Sequence, residues 1–246
     1  MNSQPTTIGD EAYHPYLRPR DSAALILVDR SGAVPKVLLG RRHASLVFMP
    51  GKLVFPGGSV ETSDHRIPLA AELPLDLAAK LVAGSPKITP ARARALAAAA
   101  IREACEETGL CLGSKPPHPL TPPQTAALSG EWTPFAQAGL LPDPSQLYLI
   151  ARAITPPGRI RRFDTRFFAA DISAIAHTVG GVIHADAELV ETIWLELGTP
   201  PRSDIHSMTQ IVLGEMNSRL AMGPLTHQVD VPFFYYRNGT QLRDTL

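Results

Sequence analysis

A short run in the middle of the chain places three carboxylates at helical spacing. Glu103, Glu106 and Glu107 occupy positions i, i+3 and i+4, and on a helix this spacing brings all three to one side. Like charges on neighbouring turns repel, which weakens an isolated helix by roughly a few tenths of a kcal/mol per pair. Because the cluster needs a compensating cation, we expect it to bind a hard divalent metal ion.

The sequence around the glutamates predicts the helix that carries them. Pro90 suits the first turn of a helix, residues 91–108 are rich in strong helix formers, and Gly109 stands where a helix C-cap glycine belongs. An apolar face forms opposite Glu103 at helical spacing; its members are Ala97, Ala98, Ile101, Ala104 and Cys105. We therefore expect a helix at 91–108 whose carboxylates point to a cleft or to solvent.

A second unusual run lies upstream, at residues 48–58. It reads Phe-Met-Pro-Gly-Lys-Leu-Val-Phe-Pro-Gly-Gly, so a proline and two adjacent glycines, Gly57 and Gly58, follow a short apolar stretch. This composition predicts a tight loop in which the backbone can approach a ligand closely.

Together the two runs resemble the signature of the Nudix hydrolases, G-x5-E-x7-R-E-U-x-E-E-x-G-U, where U is aliphatic. Its second half matches Arg102, Glu103, Glu106, Glu107, Gly109 and Leu110. The first half begins at Gly58 but has Asp64 in place of the usual glutamate. Residues 65–101, which are 37 in number, separate Asp64 from Arg102 where the signature has 7. The motif is thus an interrupted box.

The interrupted box is similar to that of one branch of the family, the peroxisomal coenzyme A diphosphatases, which also carry a long insertion there. Residues 48–58 and 161–168 resemble that branch too, and the resemblance covers roughly residues 20–200. It implies a Nudix-like α/β/α sandwich with a mixed β-sheet, an expectation that the predicted order of strands and helices also supports.

The resemblance also implies roles for individual residues. Glu103, Glu106 and Glu107 would bind Mg²⁺ or Mn²⁺, one of them, commonly Glu103, would handle the proton of the attacking water, and Arg102 would orient a glutamate through a bidentate pair. A further acidic ligand would come from Glu188 or Glu191, and the Gly57–Gly58 backbone would approach the metal. The residues expected to hold substrate phosphates are Arg41, Arg42, Arg161 and Arg162.

Secondary structure follows from hydrophobic periodicity and turn residues. We expect strands at 23–28, 36–40, 53–55, 147–154, 165–170 and 188–195. We expect helical periodicity at 69–82, interrupted by Pro74, and a helix at 203–220 capped by Ser203 or Asp204. Phe163, Phe167 and Phe168 are expected in the core. The four histidines at 43, 177, 184 and 206 have no metal-like spacing and receive no role.

Length and composition bound the remaining possibilities. The 246 residues predict a flexible arm at 1–20 and a single domain at 21–246, with insertions at about 65–90 and 114–146, the latter a surface loop with short helical turns. Zero net charge argues against stable nucleic-acid binding. The sequence shows no signal peptide or membrane segment, so we expect a cytoplasmic protein in which Cys105 and Cys111 are reduced. A homo-oligomer is possible.

The sequence therefore predicts a metal-dependent hydrolase of a small-molecule diphosphate, a nucleoside diphosphate-linked compound, with coenzyme A or an acyl-CoA favoured by branch. Another diphosphate substrate, such as NADH, a nucleotide sugar or capped RNA, is the first alternative. A non-catalytic Nudix-like regulator that only binds its ligand is the second. The presence of all three helix glutamates favours an enzyme over this regulator.

Overall fold

The computed structural model describes residues 17–83, 85 and 87–246. Within this part of the chain twelve strands form two sheets. The strands are β1 (Arg20–Asp29), β2 (Lys36–Arg42), β3 (Leu53–Val54), β4 (Gly57–Ser59), β5 (Leu110–Ser114), β6 (Leu141–Pro142), β7 (Tyr148–Ile154), β8 (Phe163–Asp171), β9 (Ile175–Thr178), β10 (Leu189–Glu196), β11 (Pro232–Arg237) and β12 (Thr240–Thr245). The helices are α1 (Leu75–Ala83), α2 (Pro90–Thr108), α3 (Pro122–Ala127), α4 (Thr133–Ala138) and α5 (Ser207–Met222). Each predicted strand is present.

The larger sheet is mixed. Its strand order is β10-β2-β1-β8-β7-β11-β12, with β3 paired to β2 and β4 paired to β1. Strands β1 and β8 run parallel, whereas β2 and β4 are antiparallel to β1. The smaller sheet joins β6, β5 and β9.

Alternation along β1 separates two hydrophobic cores. Leu25 and Leu27 lie in the core that contains α1 and α2, and Ile26 and Val28 lie in the core that contains α5. Successive side chains of a strand point to opposite faces, so one strand supplies both cores. The helices therefore cover both faces of the sheet, and the predicted α/β/α sandwich with a mixed sheet is confirmed.

Helix α2 begins and ends where the sequence predicts. The Thr89 side chain accepts a hydrogen bond from the backbone N–H of Arg92, Pro90 occupies the first turn, and Gly109 closes the helix with φ of 76°. The alanines between Ala95 and Ala100 are fully buried, together with Leu96. These small side chains let the helix lie close to the sheet, which fixes the positions of its glutamates.

Both insertions contribute to the core. In the first, Pro74 delays the helix, so α1 begins at Leu75 rather than at 69; its Leu77 is fully buried in the core shared with α2. In the second, the short helices appear as expected, but Trp132 and Phe135 are fully buried. The interpretation of 114–146 as a surface loop is therefore wrong for these two aromatic residues.

Helix α5 begins four residues later than predicted, at Ser207, and its N-cap is His206. The Asp204 side chain is occupied by Arg41 and Arg202, so it cannot cap a helix. The backbone nearby is engaged by Leu53, whose N–H donates to the Asp204 carbonyl and whose carbonyl accepts from the N–H of His206. These contacts with β3 delay the first helical turn.

The two cysteines form a disulfide, so the prediction that they are reduced is wrong. Gly109 turns the chain at the end of α2 and β5 starts at once, which brings the Cα atoms of Cys105 and Cys111 to 4.6 Å. Because the two cysteines are paired, they no longer support the prediction of a reducing compartment. Among the described residues, no helix has both the length and the apolar character needed to cross a membrane. Residues 1–16 of the predicted arm lie outside the described residues.

Candidate active site

The two halves of the interrupted box meet in space. Strand β4 pairs with β1, which places Gly58 opposite Ala23. A Cβ atom built on Gly58 would lie 2.3 Å from Oε1 of Glu103. The chain thus leaves the box after β4, folds the insertion, and returns on α2 to the same place, as expected for an excursion that leaves the motif intact.

Asp64 replaces the usual glutamate of the box and makes a buried ion pair. Nε of Arg102 donates to Oδ1 of Asp64 at 2.8 Å, and Nη2 donates to Oδ2 at 3.1 Å. The side chains are 2% and 0% exposed. The bidentate partner of Arg102 is therefore the aspartate rather than one of the helix glutamates.

The same guanidinium also holds two glutamates and the glycine loop. Nη1 of Arg102 donates to Oε1 of Glu103 at 2.9 Å and to Oε2 of Glu106 at 2.7 Å. Nη2 donates to the carbonyl of Ser59 at 2.9 Å. One buried cation therefore fixes the relative positions of α2 and of the loop that follows β4.

Glu107 is a buried carboxylate and Glu103 a half-buried one, and the pKa of each is raised. Burial raises the pKa of Glu103 to about 7, against the lowering effect of Arg102, and Glu106 and Glu188 raise it further. Burial also raises the pKa of Glu107 well above its ordinary value, with added repulsion from Glu103 and Glu188. Oε2 of Glu107 accepts the backbone N–H of Gly57 at 2.8 Å. The expectation that all three helix carboxylates point outward is wrong for Glu107, which lies inside.

Only one of the two later glutamates belongs to this group. Glu188 lines the same cleft as Glu103 and accepts Nη1 of Arg42 at 2.9 Å. Glu191 instead accepts Nε of Arg41 at 2.7 Å, outside the residues that line the cleft. The structure therefore brings Glu188 to the box and leaves Glu191 away from it.

The four predicted arginines divide in the same way. Arg42 and Arg161 line the cleft. Arg41 is held by Glu191 and by Asp204, and Arg162 donates to the carbonyls of Thr155 and Leu17. Neither Arg41 nor Arg162 is among the residues that line the cleft. Arg161 is exposed and makes no hydrogen bond or ion pair with the part of the chain that the structure describes.

The cleft has a volume of about 650 Å³ and extends well beyond the carboxylates. Its wall includes aromatic side chains: Phe48 and Phe163 meet edge to face with ring centroids 5.3 Å apart, and Phe167 and Tyr236 lie along it. The prediction that Phe163 is a core residue is therefore wrong. Phe167 and Phe168 are buried core residues as predicted, and Phe167 also borders the cleft.

Sequence reasoning missed other residues of the cleft. His206, which received no role, and Arg159 both line it. The signal for Arg159 was its place beside Arg161 in one short loop. His206 gives no signal in sequence, because its position depends on the delayed start of α5.

The chemistry of the donor set fits a hard divalent ion. Among the described residues, no three His, Cys, Asp or Glu side chains stand ready around one point as a metal site. Oε1 of Glu103 is instead turned to Arg102. However, Glu103, Glu107 and Glu188 are close enough to repel one another, and all supply carboxylate oxygens. Oxygen ligands with uncompensated negative charge suit Mg²⁺ or Mn²⁺.

No family model matches the sequence, and no curated protein matches it. The structure is similar to that of a solved Nudix hydrolase from Alicyclobacillus acidocaldarius, with 27% identity and a TM-score of 0.54 over 87% of this chain and 100% of that one. A Nudix hydrolase from M. smegmatis, RenU, has 17% identity and a TM-score of 0.44, with coverage of 89% and 99%. The NUDIX domain of Shewanella oneidensis NrtR, solved with ADP ribose, has 12% identity and a TM-score of 0.42, with coverage of 85% and 94%.

The similarity to the Alicyclobacillus enzyme is the one from which we draw a conclusion. It spans the whole length of the Alicyclobacillus protein, and in this chain the assembled box stands at one end of a cleft large enough for a small molecule. The chain has the Nudix hydrolase fold, and its similarity to that solved enzyme supports a Nudix-type hydrolase.

Proposed function

We propose that this protein is a Mg²⁺- or Mn²⁺-dependent hydrolase of the diphosphate bond in a nucleoside diphosphate-linked compound. The observation that carries the proposal is the convergence of Glu103, Glu107 and Glu188 beside the Gly57–Gly58 loop. Glu107 is buried and Glu103 is half-buried. The residues that build the site come from α2, from β4 and from the position that precedes β10.

In this proposal Glu103, Glu107 and Glu188 hold the metal. When bound, the ion neutralises charge on the phosphate oxygens and makes a water molecule more acidic. Glu103 lines the cleft and so is the carboxylate that takes the water proton. Arg102 orients Glu103 and Glu106, and the bond between Glu107 and the N–H of Gly57 fixes the loop against the helix. Arg42 offers N–H donors to the phosphates of the bond that is cleaved.

Coenzyme A or an acyl-CoA is the substrate that we favour. The support is the interrupted box together with the two runs that resemble the coenzyme A branch. Members of both runs line one cleft: Phe48, Met49, Pro50, Val54, Phe55, Gly57 and Gly58 from the first, and Arg161, Phe163, Thr165 and Phe167 from the second. The chemistry follows from the diphosphate alone, whereas the coenzyme A preference rests on resemblance.

A release assay over a panel of diphosphates tests the function. Coenzyme A, NADH, a nucleotide sugar and capped RNA are incubated with the protein in Mg²⁺, in Mn²⁺ and in chelator. We expect coenzyme A to give 3′,5′-ADP and 4′-phosphopantetheine only when metal is present. Preferential cleavage of another compound would contradict the assignment of coenzyme A as the substrate. Ligand binding without any turnover would instead favour the alternative of a non-catalytic regulator that only binds its ligand.

Paired variants test the site. We expect Glu107→Gln and Glu188→Gln each to lower turnover by about a hundredfold or more, because each removes a charge from the metal site. Glu191→Gln removes the same charge outside the cleft and is the matched control. Equal turnover in wild type and Glu107→Gln at saturating Mg²⁺ would contradict the assignment.

A further inference from the structure

The cleft is lined by positive groups as well as by the carboxylates of the box. Glu103 comes from α2, on one face of the sheet, and His206 stands at the start of α5, on the opposite face. Arg159 and Arg161 come from the connection between β7 and β8. All four of these side chains line the same cleft. A bound molecule therefore meets the Glu103 carboxylate of α2 together with basic groups from the start of α5 and from the β7–β8 connection.

The charges around His206 are positive. Burial lowers the pKa of His206, and the positive charges of Lys52 and Arg159 lower it further. The charges that act on Glu103 are those of Arg102, Glu106 and Glu188. The two groups therefore have separate electrostatic surroundings, and no carboxylate is among the groups that shift His206.

The hydrogen bonding of His206 determines which ring nitrogen carries the proton. Nδ1 accepts the backbone N–H of Met208 at 3.2 Å as the cap of α5. In the neutral ring Nε2 must then hold the hydrogen and act as a donor. Among the described residues this N–H has no acceptor.

Arg161 adds an available cation. It is exposed and lines the cleft, and no described residue forms an ion pair with it. Arg42, by contrast, is committed to Glu188 and to the carbonyl of Phe48. An anion that enters beside Arg161 therefore does not compete with a carboxylate of the described residues.

We propose that His206, Arg159 and Arg161 form a second anion subsite, which binds a phosphomonoester carried by the substrate away from its diphosphate. This inference rests on the proposed function for the identity of the substrate. A phosphomonoester supplies three acceptor oxygens and negative charge to the N–H donors of His206 and Arg161, neither of which pairs with a carboxylate of the described residues. Charge-assisted hydrogen bonds are the strong ones. One such bond to a charged group changes binding by about tenfold to a hundredfold.

Binding of two mononucleotides tests the subsite without turnover. Adenosine 3′,5′-bisphosphate and adenosine 5′-monophosphate differ by one phosphomonoester, and neither has a diphosphate bond to cleave. Calorimetric titration in Mg²⁺ should show that the wild-type protein binds the bisphosphate about tenfold or more tightly than the monophosphate. Equal affinity for the two compounds would overturn the subsite.

Four variants show which residues cause the preference for the bisphosphate. Arg161→Ala should remove most of the preference, and Arg161→Lys should restore part of it. His206→Asn keeps a side-chain oxygen that can cap α5 but loses the Nε2 donor, so it should also reduce the preference. Arg162→Ala removes the same charge from the neighbouring residue, which is not among the residues that line the cleft, and should retain the preference. An equal loss in Arg161→Ala and Arg162→Ala would overturn the proposal.

The two proposals can fail separately. Selective binding of the bisphosphate by a protein that cleaves no diphosphate would leave the subsite standing and overturn the hydrolase. Metal-dependent cleavage by a protein that binds both mononucleotides equally would do the reverse.

Discussion

Arg102 is the residue on which the arrangement of the box depends. It is 2% exposed and contacts Asp64, Glu103 and Glu106 at once, so a single cation offsets part of the repulsion among the carboxylates. Glu107 receives only a backbone N–H within the box and keeps a raised pKa. The residual negative charge is what a metal ion would neutralise, and it also makes the metal-free protein sensitive to pH.

Stability without metal should fall as the pH rises through the range in which Glu103 ionises. The pKa of Glu103 is about 7 in the folded protein and near 4.5 in the unfolded chain. Below the lower pKa, Glu103 is protonated in both the folded and the unfolded state. Above it, Glu103 ionises in the unfolded chain while it stays protonated in the folded protein. The free energy of unfolding therefore falls until the pH passes the folded-state pKa. The change is about 3 kcal/mol, and urea unfolding in chelator measures it.

The Glu103→Gln variant isolates this contribution. Its free energy of unfolding should decline less than that of wild type between about pH 4.5 and about pH 8, by about the same 3 kcal/mol. Glu191→Gln should keep the wild-type slope. Added Mg²⁺ should stabilise wild type more than Glu103→Gln at the higher pH, because the metal binds the folded state. Identical pH profiles for wild type and Glu103→Gln would contradict the burial of this carboxylate.

The two adjacent glycines should respond differently to alanine. A Cβ atom on Gly58 would meet the flexible end of Glu103, whereas one on Gly57 would lie 2.5 Å from the carbonyl oxygen of Ala23 and 2.6 Å from Cα of Ala24. Gly58→Ala should therefore displace Glu103 and lower turnover by about a hundredfold, with little change in melting temperature. Gly57→Ala should cost about 1–3 kcal/mol of stability, because backbone must move. Full turnover in Gly58→Ala would show that Glu103 does not need this position.

At the scale of elements, the interrupted box works because its two halves are tied by a side-chain pair rather than by a short connection. A 3₁₀ helix at Ser63–His65 follows β4 and presents Asp64 to Arg102 on α2. The insertion begins after this contact and ends before α2, so its length does not disturb the motif. Loop-closure entropy grows only slowly with length, which makes such an excursion tolerable.

Asp64→Asn should destabilise the protein strongly. The substitution leaves Arg102 buried and short of one compensating charge, and breaking a buried pair costs about 3–5 kcal/mol. Chemical unfolding measures this loss. Glu196→Gln breaks an exposed pair with Lys36 in which the side chains are 58% and 40% exposed, and it should cost less than about 1 kcal/mol. Similar costs for the two variants would mean that Arg102 does not depend on Asp64.

At the scale of the whole molecule, the sheet separates a core under α1 and α2 from a core under α5. The cleft receives residues from both layers, because Glu103 belongs to one and His206 to the other. The first insertion packs into the α2 core, and none of its described residues lines the cleft. Stability and catalysis should therefore be separable in α1.

Leu77→Ala should lower stability without changing the chemistry. Leu77 is fully buried beneath α2, and truncation of such a leucine costs about 2–5 kcal/mol. Leu75 lies in the same helix but is 87% exposed, so Leu75→Ala should cost less than about 0.5 kcal/mol. Turnover per folded molecule should match wild type in both variants. A fall in turnover for Leu77→Ala at a temperature where it remains folded would link α1 to the site.

Local spacing in the sequence is enough to predict several parts of this protein. Three glutamates at i, i+3 and i+4 must share one side of a helix, and Thr89, Pro90 and Gly109 favour that helix between them. Alternating and buried apolar runs likewise predicted the strands and the sandwich. Local rules suffice here because caps, turns and periodicity act within a few residues.

Which member of each neighbouring pair faces the cleft depends on long-range packing and cannot be predicted from local spacing. Arg41 and Arg42 are adjacent on β2 and so point to opposite faces, and which face is the cleft depends on strands and helices distant in sequence. Glu188 lies just before β10 and Glu191 within it, and which of the two faces the cleft depends on how β10 pairs with β2. The start of α5, the Cys105–Cys111 bond and the burial of Trp132 were decided in the same way, by contacts between segments that a local pattern does not join.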